Sequence, residues 1–289
     1  MNAWLREARP KQWAKNVLVF AAPGAAGVLD NGPILGKALI AFASFCLVAS
    51  GTYFWNDILD VEADRLHPTK SRRPIASGAV PLAPARIVGM AMLVGGVGLM
   101  FATGRWQPAA IVALYAATTL AYSIRLKHVA VIDLVTVASG FVLRAIAGGL
   151  AVDVPLRKWF LLCTTFGSLF IVTGKRYAEI REMGEHAPTT RAALSDYSAS
   201  YLRQVLSISV GATIVSYCVW AFETAELSDT HFHFYELSIV PMLVALLRYL
   251  LILEQGHGGA PEEVFLADRP LQVFGLIWMV VFGLGVYVN

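Results

Sequence analysis

Four acids stand within eight residues at the end of an apolar run, in Asn56-Asp57-Ile58-Leu59-Asp60-Val61-Glu62-Ala63-Asp64. Charge is costly in a bilayer, so carboxylates gathered at the mouth of a membrane span point to a bound cation. Asp57, Asp60 and Asp64 are spaced i, i+3, i+7, which on a continuous helix puts all three on one face. Hard carboxylate oxygens suit Mg2+, which keeps some waters and takes substrate phosphate oxygens as further ligands. The alternative, that Asp57 and Asp60 only end a helix and solvate a loop, sits poorly with the negative dipole of a helix C-terminus.

Bases follow the acids, in Arg65-Leu66-His67-Pro68-Thr69-Lys70-Ser71-Arg72-Arg73. That order implies a metal cluster facing an anion, although Lys70, Arg72 and Arg73 would equally hold any loop on the inner side. His67 lacks the His or Cys partners of a transition-metal site and is read as structural. A second junction, Tyr122-Ser123-Ile124-Arg125-Leu126-Lys127-His128, leads to the single carboxylate of Asp133. Asp133 is open to capping a helix, serving a second metal or orienting Lys127. Arg144 lies eleven residues on, where an unpaired guanidinium would be costly; it needs a polar cavity or a carboxylate, and Asp133 is on roughly the same face. A third junction, Gly174-Lys175-Arg176-Tyr177-Ala178-Glu179, offers Lys175, Arg176 and Glu179 to a pocket, while Arg181, Glu182 and Glu185 read as a solvated helix. Gly256-His257-Gly258-Gly259 reads as a flexible loop, and His231-Phe232-His233 as an exposed one.

The elements that must position these residues are membrane helices. With 57% hydrophobic and 15% charged residues and a mean hydropathy of +0.60, this chain of 289 residues is an all-α polytopic membrane protein rather than a soluble domain. Apolar segments fall at 16–29, 33–55, 85–104, 107–123, 130–151, 158–173, 204–223, 236–253 and 270–288, which predicts nine spans in one integral-membrane domain over 1–289. Pro23 and Gly24 interrupt the first, and Gly174-Lys175-Arg176 cuts off the sixth. With nine spans only Lys37, Arg105, Arg157 and Lys158 face the far side, and Arg144 lies inside the fifth; the remaining Lys and Arg share the side of the N-terminus. The positive-inside rule makes that side cytoplasmic, in the inner (plasma) membrane. Residues 1–15, with Trp4, Leu5 and Trp13 among Arg6, Arg9 and Lys11, read as an interfacial segment, and no cleavable signal peptide is expected. Cys46, Cys163 and Cys218 fall inside spans, against a disulfide framework or metal site. No nucleic acid is expected as a partner, and a homo-oligomer is compatible with the apolar exterior.

The Asn-Asp-x-x-Asp-x-x-x-Asp pattern at 56–64, the nine-helix layout and the polar second and third junctions resemble the UbiA superfamily of intramembrane prenyltransferases across essentially the whole chain. Within that family, Arg9-Pro10-Lys11-Gln12-Trp13-Ala14-Lys15-Asn16, Asp64-Arg65-Leu66-His67-Pro68-Thr69-Lys70, Leu126-Lys127-His128, Arg144-Ala145-Ile146-Ala147-Gly148-Gly149 and Gly174-Lys175-Arg176-Tyr177-Ala178-Glu179 are similar to one branch. That branch moves phosphoribose onto a lipid phosphate for cell-wall arabinan in actinobacteria. The chain departs from the general pattern where a second aspartate-rich motif is usual, having Lys127 and only Asp133.

The resemblance implies a Mg2+-dependent glycosyl transfer from 5-phosphoribosyl 1-diphosphate to a polyprenyl (decaprenyl) phosphate in the bilayer. Asp57 and Asp60, with Asp64 assisting, would hold the metal against the diphosphate. Asp57, Asp60 and Lys127 would be catalytic. Lys15, Asn16, Lys127, Lys175 and Arg176 would meet phosphate groups, with Arg72, Arg73, Tyr122 and Arg144 completing the substrate set and Asn56 touching the metal or orienting the helix end. Two rivals are prenyl transfer to an aromatic or quinone precursor and transport. The missing second motif and the surplus of cations argue against the first; ionisable groups gathered at one face rather than the midplane argue against the second.

Overall fold

The computed structural model of the chain describes residues 2–183, 196–228, 232–256 and 261–288. Glu185, His231 and His257 lie outside the described residues. All regular structure there is helical. The helices are α1 Ala3–Glu7, α2 Ala21–Ala25, α3 Gly32–Leu59, α4 Val61–Leu66, α5 Leu82–Met100, α6 Gln107–Ile124, α7 Ile132–Ala151, α8 Lys158–Met183, α9 Ala199–Glu226, α10 Phe234–Glu254, α11 Pro261–Ala267 and α12 Arg269–Tyr287. Short 3₁₀ turns join several of them, and one long 3₁₀ run spans Pro10–Phe20.

Seven of these helices, α3, α5, α6, α7, α9, α10 and α12, are long and apolar enough to cross a membrane, so among the described residues seven of the nine expected spans are matched by such a helix. The first expected span, 16–29, is a 3₁₀ run followed by the five residues of α2. Runs of 3₁₀ geometry longer than three or four residues are uncommon; here Pro10 opens the run and Pro23-Gly24 stops the following helix from lengthening. The sixth, 158–173, belongs to the 26-residue α8. Gly174-Lys175-Arg176 does not end that helix. Thr165 and Ser168 back-bond to the Leu161 and Thr164 carbonyls at 2.7 and 2.6 Å, and with Thr164 they dilute the apolar character of α8.

The chain divides into two compact units, Met1–Lys127 with Gly140–Leu156, and His128–Ser139 with Arg157–Asn289. In the first, α3 packs chiefly on α5, and also on α6 and the long 3₁₀ run. Phe45, Val48, Val112 and Tyr115 are core residues there. Close approach is made possible by glycine. A Cβ on Gly96 would lie 2.5 Å from Val48 and 2.9 Å from the Ser44 carbonyl oxygen, and the Ser44 hydroxyl donates to the Gly96 carbonyl at 2.7 Å. A Cβ on Gly148 would fall on the Val19 carbonyl oxygen itself. Gly148→Ala is therefore expected to prevent the 3₁₀ run from seating on α7, read as loss of folded protein in size-exclusion chromatography and a thermal unfolding midpoint at least several degrees lower.

The N-terminal segment is pinned to α3 by Ser50, whose hydroxyl donates to the Ala8 carbonyl at 2.8 Å and accepts from the Trp13 indole at 3.1 Å. Trp4 stacks on Phe54 at 6.2 Å between ring centres. In the second unit α8 packs on α9, α9 on α10 and α10 on α12. Arg248 pairs with Asp268 at 2.7 Å, and that guanidinium holds the Asp268 carboxyl below its ordinary value while Asp268 caps α12.

Candidate functional site

Asp57 lies on the last turn of α3, and the helix stops at Asp60, whose φ of −92° and ψ of 6° break it before α4 resumes at Val61. The three aspartates are therefore not on one continuous helix. The break turns Asp64 back toward Asp57 and sends Asp60 elsewhere. Arg73, just past the 3₁₀ turn Lys70–Arg72, donates one Nη1 to Asp57 at 3.0 Å and to Asp64 at 2.7 Å. Arg9 donates Nη2 to both Asp57 oxygens, at 2.7 and 2.5 Å, and its guanidinium lies 4.7 Å over the Tyr53 ring. Reaching that position puts Arg9 in the left-handed region at φ 51°, a strain of about 1–2 kcal/mol for a residue with a Cβ. Asn56 donates to Asp57 at 3.2 Å. The acid side chains of Asp57 and Asp64 are 1% and 4% exposed, against 27% and 26% for Arg9 and Arg73, so buried anions face cations that reach solvent.

Arg9, Asp57 and Arg73 border a cavity of about 300 Å³ that Arg6, Glu7 and Arg72 also line. Glu7 is 1% exposed, and its carboxylate oxygens lack a well-formed hydrogen bond, the Asp57 carboxyl and the Ile75 N–H being the polar groups beside them. Burial, and then the neighbouring Asp57 carboxylate, push its carboxyl up to about 8. Among the described residues, no three acid, His or Cys side chains converge as a ready-made metal site. The residues nonetheless fit a hard cation. One positive nitrogen already bridges Asp57 and Asp64, and the unsatisfied oxygens of Glu7 adjoin the same place. Holding a metal there requires Arg9 and Arg73 to yield their carboxylates; both guanidinium groups reach solvent, and the phosphates of a substrate entering the cavity would then pair with them.

Asp60 pairs instead with Lys127, whose ammonium donates at 2.8 and 3.1 Å. Both side chains are half-buried, at 29% and 21% exposed. Lys127 is thus held at the same acidic segment, within reach of an anion there. Lys127→Ala is expected to raise KM for the phosphorylated donor about tenfold and KM for the lipid less, measured by steady-state kinetics with each substrate varied. Tyr122 is half-buried on the last turn of α6, Lys15 is half-buried on the 3₁₀ run, and Arg72 is exposed at the cavity.

Arg144 does not meet a carboxylate. Its Nε donates to Asn16 Oδ1 at 2.7 Å, Nη1 to the Gly140 carbonyl at 2.8 Å and Nη2 to the Tyr115 hydroxyl at 2.8 Å. The guanidinium also lies 4.6 Å over the Tyr115 ring. Asn16 in turn donates to Cys46 at 3.3 Å, and both Asn16 and Arg144 are buried. Of the two expected surroundings, a polar one is found and the carboxylate of Asp133 is not, since eleven helical residues rise about 16 Å.

In the second unit Asp133 accepts from Arg176 Nε at 3.2 Å and from the Tyr197 hydroxyl at 2.5 Å, while that hydroxyl accepts the Val131 N–H at 2.5 Å. Burial and the Asp133 bond raise the Tyr197 hydroxyl above its ordinary value. Arg176 also donates to Glu179 at 2.8 Å. Asp133 is therefore tied to Arg176 and Tyr197. Val131 itself sits at φ 68°, a strained conformation for a β-branched residue. Lys175 is half-buried beside Arg176 on α8.

Sequence reasoning missed Glu7, Arg6 and Arg9 as site residues and Tyr115 and Tyr197 as partners. One signal was available for Glu7: a lone acid among Arg6, Arg9 and Lys11 suits no segment that simply rests on an anionic surface.

A model of the UbiA prenyltransferase family matches residues 17–280. A decaprenyl-phosphate phosphoribosyltransferase of Corynebacterium glutamicum is 44% identical over 290 residues, covering 99% of this chain and 87% of that protein. One of Mycolicibacterium smegmatis is 43% identical over 298 residues, covering 99% and 93%. A UbiA homolog from Archaeoglobus fulgidus, solved bound to GPP and Mg2+, shares the fold with a TM-score of 0.72 over 99% of this chain and 100% of that one, at 18% identity. The same homolog is also solved with Cd2+ bound. With the motif at 56–64, the helical architecture and near-full-length relatives in agreement, the chain belongs to the UbiA prenyltransferase family.

Proposed function

We propose that this protein transfers 5-phosphoribose from 5-phosphoribosyl 1-diphosphate to a polyprenyl phosphate, decaprenyl phosphate in the relatives' name, and releases diphosphate. The reading is carried by the two near-full-length relatives named for that reaction. The cavity supports it in chemical terms. Arg6, Arg9, Arg72 and Arg73 line a space of about 300 Å³ together with Asp57. A donor with a 5-phosphate and a diphosphate needs cations at two places, and planar guanidinium groups bind phosphates in bidentate fashion.

Asp57 and Asp64 would hold Mg2+, while Asp60 holds Lys127. Bound there, the metal neutralises the diphosphate as a leaving group. Arg9 and Arg73 exchange their carboxylates for phosphate oxygens, so each cation is paired before and after the donor enters. Lys127, released from Asp60, points a third positive charge at the same region. The bond from ribose C1 to the diphosphate oxygen breaks, and diphosphate leaves with the electron pair. A phosphate oxygen of the lipid forms the new bond at C1; it is already an anion, so the protein supplies no general base. What the protein supplies is placement of two anions that would otherwise repel, and preorganised positive charge around them.

A groove of about 510 Å³ on the first unit suits the lipid tail. It is lined by Trp55, Arg86, Ile87, Met90, Ala91 and Val94. The last five recur along one face of α5, and Trp55 comes from the last two turns of α3. The active face is cytoplasmic in this reading, since the basic junctions cluster there.

Binding tests the donor assignment. Purified protein with Mg2+ should retain radiolabelled 5-phosphoribosyl 1-diphosphate on a filter, and chelator should release it. Retention that chelator leaves unchanged would remove the metal from the reading, and no retention would remove the donor.

A further inference from the structure

Asp57 at the cavity is paired with Arg9 and Arg73, and the neighbouring Asp64 with Arg73. Glu7 has no such cation. Both of its oxygens are buried without a well-formed hydrogen bond, the Ile75 N–H and the Asp57 carboxyl being the polar groups beside them, it is 1% exposed, and it lines the same cavity against Asp57. Arg9, two residues away, donates twice to Asp57 and not to Glu7. Two carboxyl groups held side by side with too few donors are an arrangement that a shared cation resolves. We infer that Glu7 is a ligand of the divalent cation held at Asp57, carried into the site by the N-terminal segment. The inference rests on the proposed metal dependence, but not on the identity of the sugar donor or lipid.

The segment is built to bring it there. Ser50 of α3 fixes Ala8 and Trp13, Trp4 stacks on Phe54, and Asn2 caps α1 through the Trp4 N–H at 3.2 Å. Glu7 therefore arrives on a short anchored arm rather than a free tail. Occupation of the site should tighten that arm, because the metal would bridge Glu7 to Asp57 on α3.

The test uses the full chain in detergent with Mn2+ alone, without sugar donor or lipid, and follows free Mn2+ by electron paramagnetic resonance. Wild type is expected to bind. Glu7→Gln keeps the size of the side chain and the donor that a protonated acid would offer to Asp57, and should bind at least about tenfold more weakly, the loss that even a group outside the ligand set brings. Amide exchange across Trp4–Arg9 in wild type should slow when Mn2+ is added, which reads the arm without any substitution. Equal affinity in wild type and Glu7→Gln, no uptake by wild type, or exchange unchanged by Mn2+ would each overturn the inference. If transfer fails with 5-phosphoribosyl 1-diphosphate while these results hold, the donor reading falls and the ligand assignment stands.

Discussion

Asp57→Asn should lower turnover by about 10²–10³-fold or more, because the neutral amide keeps the shape of the site but neither holds a divalent cation nor compensates Arg9 and Arg73. The structure adds a stability effect to this prediction. Asp57 is 1% exposed and accepts from two guanidinium groups, so it supports the seating of the N-terminal segment as well as the chemistry. The arginines retain access to water, and Arg73 keeps Asp64, so the destabilisation should be about 1–3 kcal/mol rather than loss of the fold. Thermal unfolding in detergent measures the second effect and label transfer the first. Full turnover in a folded Asp57→Asn protein would remove this residue from the mechanism.

Arg73→Ala should be the most damaging of the arginine substitutions. A single nitrogen of Arg73 joins Asp57 to Asp64 across the break at Asp60, so its loss leaves two buried acids facing each other and removes a phosphate contact as well. The expected fall in kcat/KM for the donor is about 10²-fold or more. Arg72→Ala, at an exposed position of the same cavity, should cost about tenfold or less. Arg73→Lys should restore little, because a point charge on a flexible stem does not reproduce a planar fork. Equal losses in Arg72→Ala and Arg73→Ala would mean that the two serve only as general positive charge.

The acids at 57–64 were legible because their spacing is local and their charge stands out against an apolar background. The break at Asp60 was not: nothing in Ile58-Leu59-Asp60-Val61 signals a helix end, and the turn is stabilised by partners distant in sequence. Lys127 reaches Asp60 across 67 positions, and Arg144 reaches Asn16 across 128. Pattern reading within a window carries no such information, so it left Arg144 with a polar cavity or Asp133 and could not name Asn16 or Tyr115. Two of the nine expected spans differ for another reason. Hydropathy registered 16–29 as apolar, but Pro10 and Pro23-Gly24 set a backbone geometry that composition does not express. In α8, by contrast, Gly174-Lys175-Arg176 read as a stop, although Lys and Arg are good helix formers and the helix passes through them. Glu7 stayed hidden because an acid in an interfacial segment ordinarily faces water; its burial depends on Ser50 and Phe54, more than 40 positions away.

The central claim is that the arginine-lined acidic cavity hands a phosphorylated sugar to a lipid phosphate. It is tested by giving purified protein Mg2+, labelled 5-phosphoribosyl 1-diphosphate and polyprenyl phosphate, and following label into the organic phase with and without chelator. The account predicts lipid labelling that chelator abolishes and that Asp57→Asn lacks. No labelling, with label moving instead from a prenyl diphosphate to an aromatic acid under the same conditions, would contradict it.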